Sequence, residues 1–190
     1  MNKRGRLIII SAPSGTGKTT VIHRFLVKNP NMIHSVSCTT RPKRPNEIDG
    51  KDYHFISLTT FKEGITGNQF AEWAHVHDHY YGTPKESLDA WLREGKEVLL
   101  DVDVLGGTNL KKLYKDQAVS IFLLPPNNEE LQRRFFNRGT DSEEQKEIRM
   151  KNALKELTYK DQYDYQVVND VLEKACSDIE EILDAHARRL

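Results

Sequence analysis

The stretch Ser11-Ala12-Pro13-Ser14-Gly15-Thr16-Gly17-Lys18-Thr19-Thr20 carries the most readable chemistry of the chain. Glycines at this density let successive backbone N–H groups point into one concavity. Such a concavity, opening onto the positive end of a helix, binds phosphate oxygens. The apolar run Leu7–Ile10 stands directly before it as a predicted strand, and Val21-Ile22-His23-Arg24-Phe25-Leu26 after it reads as a helix. In that setting Lys18 adds a charge to the β and γ phosphates, and the Thr19 hydroxyl is a magnesium ligand. The candidate set for a purine nucleoside triphosphate is therefore Ala12, Pro13, Ser14, Gly15, Thr16, Gly17, Lys18, Thr19 and Thr20. The strict pattern has glycine where Ala12 stands, and alanine serves if its φ is negative.

A second group of anion-binding types follows. Arg41 and Arg44 flank a restrained turn at Pro42, with Ser37 upstream and Tyr53 downstream. Guanidinium forks, a hydroxyl and a phenol suit a phosphate monoester. Taken alone, such a basic turn is more often a solvated loop. Asp101 and Asp103 close another apolar run, at the strand end where open α/β sheets collect ligand-binding groups; capping or turn duty is the alternative for one of them. His75, His77 and His79 alternate, and one continuous strand would aim all three imidazoles to one side, a pattern suited to zinc. Against that, Asp78-His79-Tyr80-Tyr81-Gly82 reads as the exit of the strand.

The elements that must position these groups are predicted from short apolar runs alternating with helical patterns. Leu7–Ile10, Val98–Val102 and Ile121–Leu124 lack strict alternation, as strands covered on both faces do; Gln166–Asn169 is a candidate fourth. Thr83-Pro84-Lys85-Glu86 has the form of an N-cap, a first-turn proline and an acidic third residue. Asn127 and Ser142 are further predicted helix starts, and a last helix is predicted over about Val171–Arg189. From about Val36 to Tyr81 the chain is turn-rich, with helical character near Leu58–Ile65; from about Asn137 to Lys151 it is almost wholly polar. One α/β domain with two excursions is expected.

Composition bounds the rest. The 190 residues are 37% hydrophobic and 29% charged, a globular balance. Lys plus Arg (28) cancels Asp plus Glu (28), which argues against a general nucleic-acid or membrane-surface binder. The two cysteines, Cys38 and Cys176, give no disulfide framework. The basic start leads into too short an apolar run for a secretory signal, and a cytoplasmic protein is expected.

In order and spacing, several segments resemble guanylate kinases over essentially the whole chain. They are the phosphate loop, Ser37-Cys38-Thr39-Thr40-Arg41-x-x-Arg44-Pro45, Gly50-Lys51-Asp52-Tyr53-x-Phe55, Phe70-x-Glu72-Trp73-Ala74 and Tyr80-Tyr81-Gly82-Thr83. Leu100-Asp101-Val102-Asp103-x-x-Gly106, Pro125-Pro126, Arg134-x-x-x-Arg138-Gly139, Arg149 and Val168-Asn169-Asp170 continue the likeness. Asn46 departs from the glycine usual in that family, and Thr83 stands where serine is also common.

The resemblance implies a P-loop NTPase-type parallel sheet flanked by helices, with an inserted GMP-binding lobe and a mobile lid. Core is expected at 1–35, 83–136 and 152–190, the lobe at about 36–82 and the lid at about 137–151. The implied reaction is ATP plus GMP giving ADP plus GDP, with Mg2+. By the same resemblance Arg41, Arg44, Tyr53 and Tyr81 hold the GMP phosphate, Ser37, Glu72 and Thr83 face guanine, and Asp101 approaches GMP. Asp103 supports the shell of the metal held at Thr19. Arg134, Arg138 and Arg149 match lid arginines, and Asn169 backs adenine, with structural turn duty as the alternative. The catalytic set is then Lys18, Arg44, Arg138 and Arg149, with Arg134 and Asn169 added to the ATP side. A carboxylate at Glu72 suits guanine, whose N1–H and 2-amino group donate where adenine N1 carries a lone pair; sites built on such bonds reject the wrong base by roughly 10⁴-fold.

The expected partners are ATP and GMP, with dGMP tolerated; self-association as a homo-oligomer stays open. A phosphopeptide-binding scaffold would need neither the phosphate loop nor lid arginines. A ribose bisphosphate kinase would not need the Ser37, Glu72 and Thr83 set, and a nucleotide switch would need no second phosphate site.

Overall fold

The computed structural model describes residues 5–76, 78–136 and 143–188, and the statements below concern those residues. Arg138, Gly139, His77 and Ser142 lie outside them. The central sheet runs β2 (Ile33–Ser35), β7 (Glu97–Asp101), β1 (Arg6–Ser11), β8 (Ala118–Leu124), β9 (Tyr165–Val168), every pairing parallel. Its middle strand β1 is buried throughout. Alternation divides that apolar run between two cores. Ile8 and Ile10 pack with α1 (Lys18–Lys28) and α7 (Leu172–Ala187), among Phe25, Val119, Ile179 and Leu183. Leu7 and Ile9 point the other way, into Leu88 and Leu92 of α3 (Lys85–Arg93) and Leu110 of α4 (Val104–Tyr114). A strand covered on both faces shows no polar face in its sequence, which is why these runs read as continuous.

The turn-rich excursion forms its own sheet, in the order β4 (His54–Phe55), β3 (Cys38–Thr39), β6 (His79–Pro84), β5 (Phe70–Val76). The β5–β6 pair is an antiparallel hairpin in which His79 pairs with Val76, so His75 and His79 are not on one continuous strand. Behind it α2 (Leu58–Thr66) begins at a Ser57 cap, and its Phe61 stacks on Phe70 at 4.4 Å between ring centroids. After β8 come α5 (Asn128–Phe136) and α6 (Glu143–Leu157), joined by residues 137–142, which are not described.

One local expectation is corrected. Thr83 does not cap α3: it lies within β6, the cap position falls on Pro84, and the threonine hydroxyl is used elsewhere. Asn46 does not have a positive φ, so an L-residue fits that turn without strain. No described helix is long and apolar enough to cross a membrane.

Candidate active site

The phosphate loop leaves β1 at Ser11 and enters α1 at Lys18. Gly15 and Gly17 hold φ of 83° and 90°, the left-handed region an L-side chain rarely adopts. Gly17 also sits against Asn169, whose Nδ2 would lie 2.8 Å from any added Cβ. Ala12 is buried with a negative φ, so the departure from glycine costs the loop nothing. Lys18 leans across the strand ends to an ion pair with Asp101, the last residue of β7, and donates to the Val102 carbonyl at 2.8 Å. The parallel strands thus deliver a backbone cradle, a cation and a carboxylate to one edge.

That edge opens into a cavity of about 420 Å³. From the loop it is lined by Ala12, Pro13, Ser14, Gly15, Gly17, Lys18, Thr19 and Thr20. The second sheet and the residues leading into it contribute Ser37, Tyr53, Glu72 and Tyr81, and the end of β7 and the cap of α4 contribute Asp101 and Asp103. Residues separated by up to 144 positions (Ala12 to Glu156) therefore share one space. Asp103 Oδ1 caps α4, accepting from Gly106 N at 2.8 Å, and its carboxylate still lines the cavity. Thr19 is exposed there. Hydroxyl and carboxylate oxygens are the hard donors that magnesium takes, and it needs few from a protein when phosphates supply the rest.

Glu72 is 9% exposed, and its Oε1 accepts from Thr83 Oγ1 at 2.8 Å. Burial pushes its carboxyl up to about 7, against the lowering effect of the Thr83 bond, with the Asp103 charge adding to the rise. Thr83 does not line the cavity; it touches the site through Glu72. Burial also raises the Tyr53 phenol to about 12, so it stays a donor, and its ring stands edge-on to Tyr81 at 5.9 Å.

Arg41 lies behind this wall rather than on it. Its guanidinium makes a two-pronged pair with Glu47, at 2.7 and 3.0 Å, and its Cζ sits 5.5 Å from the Tyr53 ring centre. The pair raises Arg41 and lowers Glu47 from their ordinary pKa values. Arg44 is exposed and its backbone N–H also donates to Glu47, at 2.8 Å. On the far side of the loop, Arg134 and Asn169 both donate to the Thr16 carbonyl, at 2.9 and 2.7 Å. With Gly15, Gly17 and Thr20 they line a second groove of about 460 Å³. Arg134 is held in turn by Glu130 at 2.8 Å. Arg149 stands on α6, half-buried and outside both cavities.

Two participants escape a reading of the sequence. Glu156, near the end of α6, lines the main cavity and accepts from the Ser14 N–H of the phosphate loop at 3.2 Å, across 142 residues. No local pattern announces that contact. Glu47 was within reach: an acidic residue in an arginine-rich turn is a ready partner for one of them.

Fold and site together define a P-loop kinase class, in which a triphosphate cradle faces a second anion-binding wall across one cleft. The family model for guanylate kinase matches residues 4–186. The chain is 44% identical to the guanylate kinase of Zymomonas mobilis subsp. mobilis, covering 95% of this chain and 84% of that one. It is 46% identical to that of Aster yellows witches'-broom phytoplasma, covering 99% and 90%. A crystal structure of guanylate kinase from Anaplasma phagocytophilum superposes with a TM-score of 0.81 at 31% identity, covering 97% of this chain and 87% of that one. Shikimate kinase from Bacteroides thetaiotaomicron, at 16% identity and a TM-score of 0.50, shares the fold. The chain belongs to the guanylate kinase family.

Proposed function

We propose that this chain transfers the γ-phosphoryl group of ATP to GMP in the cytoplasm, with the residues above in the following roles. The observation that carries the reading is the single cavity: the phosphate loop forms one side of it, and Ser37, Tyr53, Glu72 and Tyr81 form the other. Two nucleotides entering from opposite sides would meet phosphate to phosphate beside Lys18.

The acceptor needs no general base. The second pKa of a phosphate monoester is about 6, so the attacking oxygen is already largely deprotonated at neutral pH. The difficulty is electrostatic, since two polyanions must approach and the moving group must be stabilised. Backbone N–H groups of residues 14–19 and the Lys18 ammonium take the β and γ phosphates. Once phosphate arrives, Lys18 exchanges Asp101 for it, and Asp101 turns to the GMP side. Tyr53, Tyr81, Arg41 and Arg44 take the GMP phosphate, while Ser37 and Glu72 take guanine, with Thr83 fixing the carboxylate. Thr19 would hold Mg2+, with Asp103 backing its water shell, and the ion would supply positive charge against the phosphates. Arg134 and Asn169 border the adenine side.

Residues 36–82 act as the GMP-binding lobe and 137–151 as a lid that carries Arg138 and Arg149 to the transferring group. Excluding water matters because water competes with GMP as acceptor. Unpaired Cys38 and Cys176 fit a reducing compartment.

ADP formation from ATP, measured with GMP, dGMP, AMP, ribose bisphosphate or no acceptor, tests the reading. GMP should be strongly preferred and dGMP accepted. Comparable turnover with AMP would remove the role of Glu72, and turnover without an acceptor would make the chain a hydrolase.

A further inference from the structure

The position of Glu72 depends on a residue with no side chain. Gly106 is in the first turn of α4, with a φ outside the left-handed region, so its backbone would accept any L-residue. Alanine is the better helix former at such a position. The space is what glycine supplies. A Cβ on Gly106 would lie 2.7 Å from Glu72 Oε2 and 3.1 Å from Cδ. The neighbouring Gly107 has a different reason, since a Cβ there would strike the Tyr163 hydroxyl and Ser11 Oγ, both inside the packed core.

The Glu72 carboxylate is thus wedged between two elements. Thr83 of β6 holds Oε1 from one side, and the bare face of α4 at Gly106 receives Oε2 on the other. We propose that Gly106 is a specificity-setting position, which by lacking a side chain lets the Glu72 carboxylate rest against α4 where guanine is read. A methyl group there would push the end of a flexible side chain, so the fold would survive and the carboxylate would swing away from its Thr83-fixed place. Gly106 is a positioning residue: it acts on the base only through Glu72. The proposal rests on Glu72 being the guanine-facing carboxylate.

Gly106→Ala, Glu72→Ala and the double variant test it by steady-state kinetics with GMP and AMP, together with thermal melting. Gly106→Ala should melt at or above the wild-type temperature. Its KM for GMP should rise about tenfold, the value of one misplaced charge-assisted hydrogen bond, with kcat changed less than about twofold. Preference for GMP over AMP should fall by a similar factor. With the carboxylate gone the methyl has room, so adding Gly106→Ala to Glu72→Ala should change KM by less than about twofold. Unchanged GMP kinetics in Gly106→Ala, or the same penalty in both backgrounds, would overturn the proposal while leaving Glu72 in its role. Undiminished guanine preference in Glu72→Ala would overturn the role of Glu72, and the proposal with it.

Discussion

The two walls of the cleft handle negative charge in different ways. On the phosphate-loop side the binding groups are backbone N–H donors, fixed by two left-handed glycines between a buried strand and a helix. On the second-sheet side they are side chains from segments far apart in sequence, each given an internal partner: Arg41 with Glu47, Glu72 with Thr83. The first wall is preorganised by covalent neighbours, and the second by side-chain pairs, an ion pair at Arg41 and a hydrogen bond at Glu72. The cation between them, Lys18, is itself shared, resting on Asp101 of the central sheet. Catalytic power should therefore concentrate in the first wall and selectivity in the second.

Lys18→Met is the most severe way to separate these functions. Turnover should fall by about 10³-fold or more, since one preorganised donor to the transferring group is lost. The GMP dissociation constant, read by calorimetry, should change little; loss of GMP binding with turnover intact at saturating GMP would reverse the division of labour.

Arg41→Met strikes the second wall. The KM for GMP should rise roughly 10- to 100-fold, the range for a hydrogen bond to a charged group, while the KM for ATP stays put. An equal rise for ATP would mean that the two walls are not independent.

Glu72→Gln sharpens the comparison through pH. Burial holds the folded carboxyl at about 7, above its ordinary 4.5. A raised carboxyl contributes stability present below the unfolded value and lost as pH rises through the folded one. The glutamine variant should therefore be more stable than wild type at pH 8, by roughly 1–3 kcal/mol, with the gap closing toward pH 5. Denaturant melts at both pH values check this. In the role proposed for Glu72 its ionised carboxylate accepts from guanine, so wild-type kcat/KM for GMP should fall as pH drops through about 7. That limb should be missing in Glu72→Gln.

The smallest effect is expected from Glu156→Gln. Its carboxylate takes the Ser14 N–H that a phosphate oxygen would use. Neutralising it should lower the KM for ATP about threefold, the scale of a weak hydrogen bond. A higher KM would mean that Glu156 supports the loop.

The same contrast governs what the sequence revealed. The phosphate loop was legible because strand, glycines, lysine and helix are contiguous, and each has a local physical reason. Asp101 and Asp103 were legible by their place at a strand end. Thr83 misled because Thr-Pro-Lys-Glu has every local mark of a helix cap, and only the tertiary approach of Glu72 diverts its hydroxyl. Glu156 and the wedge at Gly106 had no local signal, since each depends on elements brought together by the sheet. The family resemblance placed Arg41 and Arg44 at a phosphate, but it did not supply Glu47, which makes the two-pronged pair with Arg41.

A crystal structure with ADP and GMP bound asks most directly whether the two walls serve two nucleotides. GMP should lie with its phosphate among Arg41, Arg44, Tyr53 and Tyr81 and its base against Glu72, its phosphate turned toward Lys18. GMP seated in any other groove, or turned so that the ribose faces Lys18, would contradict the account.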